Sequence, residues 1–399
     1  MIELEAALEQ ILSALPAPRS ESVPLSESLD RIAAAPVDSP ISLPGFDNSA
    51  MDGYALIAND LASATPETPV QLRQIGEVPA GSVFDGPALK SGECVRIFTG
   101  SPLPTGSDAV IMQEDTRSED GAIQCLDAVK PWENVRFAGE DVKQGAHLTS
   151  PGDRLTVGRI AVMAAVGVSS IKVGRRPRVG LLSTGNELRE AGEALQPGEI
   201  YESNRRTLAL LVSQAGGLPV EYPLVPDRLD ATATALEKAF SDCDLVVTSG
   251  GVSVGEHDHV RAAFEKMGGS LDFWKVRIKP GKPFVFGRIR HQLLLGLPGN
   301  PVSALVTFLL LARTAIKRFQ GASNAGLERA TGVLTEAVHN RGDRRHFMRV
   351  HVDRNGRIRL AGMQASHALS ALLDANALLD LPPNSALKAG ETATILRIA

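Results

Sequence analysis

Between residues 178 and 319 the chain alternates short, β-branched apolar runs with stretches of helical period, and few folds accept that rhythm. Strands are predicted at 178–182, at 218–224, at the start of the segment 245–258, and at 293–297. Helices are predicted at 205–214, at 229–240, at about 258–266, and from Asn300 to 319. This alternation implies an open parallel sheet wound on both faces, with right-handed crossovers. Ligands of such sheets sit beyond the carboxyl ends of the strands, so the loops that follow the strands should converge there.

Those loops carry Glu187, Asp227, Ser253 with Asp258, and Asn300. In the segment 245–258 a buried strand runs into Gly250, Gly251 and Gly255, which carry no Cβ and let a ligand approach the backbone. Strand, glycine turn and helix start together aim backbone N–H groups at an anion. Ser253 adds a hydroxyl, and Glu256 and Asp258 add carboxylates where a hydrated metal could sit beside a phosphate. Asn300 and Pro301 suit the cap and first turn of a helix. Each turn alone reads as a tight turn with a capping acid. Three acids at one sheet edge, beside anion-cradling loops, fit a metal-bridged phosphate better.

The remaining chain reads as smaller pieces. Apolar residues at 2–15 fall on one helical face, stopped by Pro16 and Pro18, and a second short helical pattern starts at Ser26 and ends by Pro36. The stretch 40–55, with Asp47 and Asp52, is dense in turn formers and hydroxyls. Short punctuated runs from 69 to 129 read as a small β domain, and 157–168 as a helix leading back out of it, so one domain interrupts another. Lys275, Arg277 and Lys279 are spaced to share one face of a strand, with Lys282 in the turn beyond, and a row of cations suits an oxyanion. The plainer reading is a solvated basic edge. Alternating strands return after 330 as a small barrel or sandwich, with Arg344, Arg345, His346 and Arg349 clustered on one of them.

With 399 residues, 43% hydrophobic and 22% charged, several globular domains are expected. A net charge of -5 argues against a nucleic-acid binder that relies on overall basicity. Cys94, Cys125 and Cys243 form no CxxC pair, which suits a reducing cytoplasm. No basic secretory leader is read at the N-terminus, and no apolar run is long enough to span a bilayer. A cytoplasmic protein without membrane attachment is expected.

Six segments, in order, carry a resemblance to a known family: 47–55 (DNSAMDGYA), 96–100 (RIFTG), 183–188 (STGNEL), 248–255 (TSGGVSVG), 279–283 (KPGKP) and 297–301 (LPGNP). Together they resemble the MoeA family of molybdopterin molybdenumtransferases, to which the E domain of gephyrin is related. One departure is Asn186, where several relatives carry Asp. The resemblance implies an α/β multidomain chain. Its parts are an elongated N-terminal α/β domain (1–45 and 142–176), an inserted small β domain (46–141), a doubly wound, mostly parallel MogA-like domain (177–328) and a C-terminal β-barrel (329–399).

It also implies a Mg2+-dependent enzyme that inserts molybdate into adenylylated molybdopterin, cleaving the phosphoanhydride and releasing AMP. A homodimer is implied, with the active site between subunits, and transient contact with the molybdopterin adenylyltransferase is possible. Carried over residue by residue, Glu187, Asp227 and Asp258 hold the metal and orient the attacking oxygen. Thr184, Gly250, Gly251, Ser253, Gly255, Pro298, Asn300 and Pro301 bind the nucleotide or pterin phosphate. Asp52, Thr99 and Asp141 come from the other subunit. Lys275, Lys279, Lys282, Arg349 and Ser366 bind molybdate. Two alternatives accompany this expectation: a peptide-gripping scaffold, as in gephyrin, and an enzyme that takes tungstate in place of molybdate.

Overall fold

The computed structural model describes residues 1–119, 122–251 and 259–398. It divides into two compact units. The first comprises residues 1–35, 151–155 and 171–399, and the second residues 36–150 and 156–170.

The first unit is built on a six-stranded sheet of β1 (Arg178–Ser183), β2 (Leu218–Glu221), β3 (Leu245–Ser249), β4 (Ser270–Lys275), β5 (Pro283–Ile289) and β6 (Gln292–Leu297). The strand order is β2-β1-β3-β6-β5-β4. The pairs β2–β1, β1–β3 and β3–β6 are parallel, whereas β6–β5 and β5–β4 are antiparallel. The expected parallel sheet is therefore extended by a hairpin edge. The strand expected along 275–279 falls instead largely in the connection between β4 and β5, where Pro280 and Gly281 turn the chain.

Helices α1 (Leu4–Ser13), α2 (Asn204–Gln214), α3 (Leu229–Asp242), α4 (His259–Lys266) and α5 (Pro301–Thr307) complete the layers, and α5 runs on through a π-helical turn, Phe308–Ala312, into α6 (Arg313–Phe319). Successive strand residues point to opposite faces. Leu181, Val247 and Leu295 pack with Leu208, Val212 and the α5–α6 residues, while Leu182, Val246 and Leu294 pack with Leu236, Phe240, Val260 and Phe264. The parallel strands are thus buried on both faces, which explains their unbroken apolar runs.

Strands β7 (Arg329–Leu334), β8 (Arg345–Val352), β9 (Arg357–Leu360), β10 (Ala377–Leu381) and β11 (Thr392–Arg397) close into a five-stranded barrel, in the order β8-β9-β7-β11-β10 with β10 returning to β8. Met348, Val350, Ile358, Leu379 and Ile395 fill it. From the outer face, Phe347, Leu378 and Leu396 join the core of the wound sheet.

The helical pattern expected from Ser26 to Pro36 is not a helix. Only the single 3-10 turn Leu25–Glu27 forms. Asp30 adopts a positive φ of 63°, and Ile32 and Ala33 are drawn into bridges with Arg154 and Val173. Strand Ser20–Pro24 pairs with Ser170–Gly174 beside them. These pairings stitch together the places where the chain leaves and re-enters the first unit.

The second unit has its own six-stranded sheet, in the order Ala109–Met112, Gly53–Leu56, Glu93–Ile97, Val70–Val78, Ala122–Cys125, Thr116–Glu119. Leu56, Leu61, Leu72, Cys94, Ile111 and Cys125 make its main core. The helix Val157–Ala165 also belongs to this unit.

Candidate active site

The loops that follow β1, β2, β3 and β6 open onto one cleft of about 720 Å³ in the first unit. Thr184 and Glu187 enter after β1, Asp227 after β2, Gly250 and Gly251 after β3, and Pro298, Asn300 and Pro301 after β6. Ser253, Gly255, Glu256 and Asp258 lie outside the described residues.

The walls of the cleft are tied to one another. The amide N–H of Asn186 donates to Asp227 Oδ2 at 3.4 Å, and the N–H of Asp227 donates to Asn186 Oδ1 at 3.0 Å. Asn186 thus serves as the acceptor of that second bond. Asn204, the first residue of α2, donates from Nδ2 to Ser249 Oγ and to Gly299 O, both at 2.7 Å. One amide thereby pins the turns after β3 and β6 to the start of a helix. Gly250 and Gly251 have φ of 86° and 64°, and a Cβ on Gly250 would lie 2.8 Å from Thr184 O. At Gly251 it would lie 2.6 Å from Val260 Cγ2. Only glycine closes this wall.

The cleft is acidic. Glu187 and Asp227 line it, as does Glu202, which is 9% exposed. Ser183 Oγ donates to Glu202 Oε1 at 3.0 Å and the Arg205 N–H at 2.7 Å, so this carboxylate also caps α2. Thr184 Oγ1 is buried, without a hydrogen-bond partner among the described residues, at the lining of the cleft. A buried hydroxyl left without a partner is costly unless a ligand or water completes it. Asn300 precedes α5 in extended backbone, but its side chain makes no capping bond, contrary to the expectation from sequence.

Among the described residues no three His, Cys, Asp or Glu side chains could hold a metal by themselves. A hydrated Mg2+ asks for less, typically one or two carboxylates together with substrate phosphates. Glu187 and Asp227, in one cleft with room for a phosphate-bearing ligand, fit that requirement.

The expected cations are placed differently. Lys275, Arg277 and Lys279 do not share a strand: β4 ends at Lys275, and Ile278–Lys279 is a separate short strand paired to β8. Arg277 Nε instead lies 3.1 Å from Glu3 Oε1. Lys279 and Lys282 are exposed on either side of Pro280 and Gly281, and Pro283, next to Lys282, reaches the cleft. Lys275 is half-buried, its Nζ 5.9 Å from the centre of the Trp274 ring. Arg349 is fully buried on the outer face of β8. Its Nη2 donates to Met363 O at 2.7 Å and Ala365 O at 3.1 Å. Ser366 accepts a 3.2 Å bond from the Val302 N–H at its carbonyl.

In the second unit, Asp52 Oδ1 accepts from both the N–H and the hydroxyl of Thr99, each at 2.8 Å. These bonds, the N–H first, hold the carboxyl of Asp52 below its usual value, and Arg96 adds to the effect. Arg96 is itself fixed over the rings of Tyr54 and Phe98, at 4.9 and 5.3 Å. The backbone N–H of Asp141 bonds to Leu43 O, and its side chain is exposed. Asp52 and Thr99 are thus one constellation.

Glu202, Asn204, Ser249 and His367 line the cleft but were not singled out by sequence reasoning. The run Tyr201-Glu202-Ser203-Asn204 before a helix has the acid, hydroxyl and amide composition of the other rim loops and could have been found. His367 has no local signal, because packing of the barrel against the sheet brings it there.

The fold and cleft define a wound-sheet protein with an acid-lined, glycine-walled binding site. Its sequence relatives share more than that. Residues 2–167 match the MoeA N-terminal region (domain I and II), residues 180–318 a probable molybdopterin binding domain, and residues 331–398 the MoeA C-terminal region (domain IV). The chain is 41% identical over 403 residues to a molybdopterin molybdenumtransferase of Haemophilus influenzae, covering 99% of this chain and 98% of that one. It is 37% identical to molybdopterin molybdenumtransferase 2 of Mycobacterium tuberculosis over 91% of each chain. A molybdopterin biosynthesis moeA protein from Pyrococcus horikoshii superposes with a TM-score of 0.85 at 32% identity, over 100% of both chains. The chain belongs to the MoeA family.

Proposed function

We propose that this chain is a molybdopterin molybdenumtransferase acting in molybdenum cofactor biosynthesis. It takes adenylylated molybdopterin and molybdate, cleaves the phosphoanhydride, releases AMP and leaves molybdenum on the dithiolene. The observation that carries this reading is the meeting of Thr184, Glu187, Asp227, Gly250 and Asn300 in one cleft.

Within it, the bare backbone at Gly250 and Gly251 gives a phosphate close access, and the Thr184 hydroxyl, without a partner among the described residues, is available to hydrogen-bond it. Glu187 and Asp227, joined by Asp258 in this reading, would hold Mg2+. When bound, that ion would draw charge from the phosphoanhydride oxygens. Asp227, fixed by Asn186, orients the attacking oxygen. Lys275, Lys279, Lys282 and Ser366 supply the oxyanion side of the reaction, since molybdate is a tetrahedral dianion.

In this reading the enzyme is a homodimer, and a second copy of the chain brings the loops of Asp52, Thr99 and Asp141 to each cleft. The low Asp52 carboxyl stays ionised and can position pterin or phosphate donors. The three cysteines are buried and free, and no described helix is long and apolar enough to cross a membrane. The free thiols suit a reducing cytoplasm, where transient docking of the adenylyltransferase would deliver the substrate.

The test mixes purified protein with adenylylated molybdopterin, molybdate and Mg2+ and follows AMP. Release that depends on molybdate and falls by at least ~10²-fold in Glu187→Ala is expected. No release from the wild-type chain refutes the assignment. Tungstate in a parallel reaction reports the choice of oxyanion.

A further inference from the structure

The described lining of the cleft holds three carboxylates, Glu187, Glu202 and Asp227, and a single basic side chain, that of His367. The three carboxylates of the described lining repel a phosphoanhydride unless positive charge screens them. Metal bridging can satisfy the acids, and the Thr184 hydroxyl and the glycine backbone offer neutral donors, but phosphate oxygens that face away from a metal are still best met by positive charge. Among the described lining residues His367 is the one that can be both a cation and an N–H donor.

His367 does not belong to the wound sheet. It stands on the loop after β9, and the hold on that loop is unusual. The loop carbonyls at Met363, Gln364 and Ala365 all accept from the guanidinium of Arg349, at 2.7, 3.4 and 3.1 Å. Gln364 Oε1 accepts from the Arg349 N–H at 2.9 Å, and Gln364 Nε2 donates to Arg349 O at 3.0 Å. Two residues further along, Ser366 O takes the Val302 N–H, in the first turn of the helix that begins at the cleft. The loop is fastened to the barrel at one end and to the sheet domain at the other, with His367 next to the second fastening. A fully buried arginine whose two terminal nitrogens serve three successive carbonyls fixes a backbone.

We propose that His367 is a substrate-binding residue, donating to the phosphoanhydride of the adenylylated substrate, and that Arg349 is the positioning residue that holds it in the cleft. The inference rests on the function proposed above and deepens it. It gives the barrel a direct part in substrate recognition and gives Arg349 the task of holding the loop that carries His367.

The experiment compares AMP release by wild type, His367→Ala, His367→Gln, Arg349→Lys and the double variant Arg349→Lys/His367→Ala, with AMP binding by calorimetry alongside. His367→Ala, an exposed position, should keep the thermal unfolding midpoint. It should raise KM by at least about 10-fold, the usual cost of losing a hydrogen bond to a charged group. His367→Gln, which keeps an N–H donor, should recover part of that loss. Arg349→Lys should show a similar rise in KM, and the double variant should be no worse than the worse single, because both act through one contact. Should Arg349→Lys fail to fold, Gln364→Ala loosens the same loop and is held to the same outcome.

Unchanged KM and AMP affinity in His367→Ala overturn the inference while leaving the reading of function intact. Additive losses in the double variant overturn the role given to Arg349. An absence of AMP release from the wild-type chain overturns both the reading and the inference built on it.

Discussion

His346 is the residue whose chemistry is least expected from its neighbours in sequence. It is 3% exposed, and neither ring nitrogen has a hydrogen-bond partner among the described residues. Burial first, then Lys279, Arg349 and Arg344, lowers its pKa from 6.5 to about 4. The unfolded histidine takes its proton near pH 6.5 and the folded one only near pH 4, so acidification through that interval favours the unfolded chain. The contribution is fully present above pH 6.5 and falls away by roughly 3 kcal/mol at pH 4 and below. His346→Leu should flatten that part of the profile. Thermal unfolding midpoints between pH 7 and pH 4.5 would show it, and equal slopes in wild type and variant would refute it. Cation clusters were legible in the sequence, but which members are buried was not. Residues alternating along β8 look alike on paper, yet His346 and Met348 share one face of the strand while Arg349 lies on the other.

At the scale of elements, the wound sheet was the most legible part. Its strands are buried on both faces and its helices are amphipathic, so both periods stand out. The meeting of the rim loops followed from topology, and Glu187, Asp227 and Asn300 do line one cleft. The hairpin edge β4–β5 and the short turn at Leu25–Glu27 were not legible, because tertiary pairing overrides local pattern there. Asn204 shows the same limit. Its single side-chain amide serves both Ser249 and Gly299, a role that exists only once three elements have met. Asn204→Ala should lower kcat/KM for AMP release by about 10-fold or more while costing only about 1–2 kcal/mol in unfolding by urea, since two hydrogen bonds near solvent are lost. Unaltered kinetics would show that the rim holds its shape without that tie.

For the whole molecule, the proposed shared site makes a prediction that no single-chain site makes. Asp52→Ala and Glu187→Ala should each be nearly inactive as homodimers. Co-refolded or co-expressed in equal amounts, they would form mixed dimers with one intact site. Activity should then return to about a quarter of wild type, given random pairing of two copies. Failure to recover activity in demonstrably mixed dimers would place both residues in the same subunit's site. The family resemblance, spread over six segments from Asp47 to Pro301, was readable at this scale before any geometry.

The stitched patch formed by Ser20–Pro24, Ile32, Ala33, Arg154 and Ser170–Gly174 has a consequence for how such chains diverge. The excursion at 36–150 departs and comes home at neighbouring points of one sewn seam. Insertions or deletions within it leave the spacing of β1, β3 and β6 untouched. Selection can therefore vary the outer loops of the excursion, away from Asp52, Thr99 and Asp141, without disturbing the strands that shape the cleft.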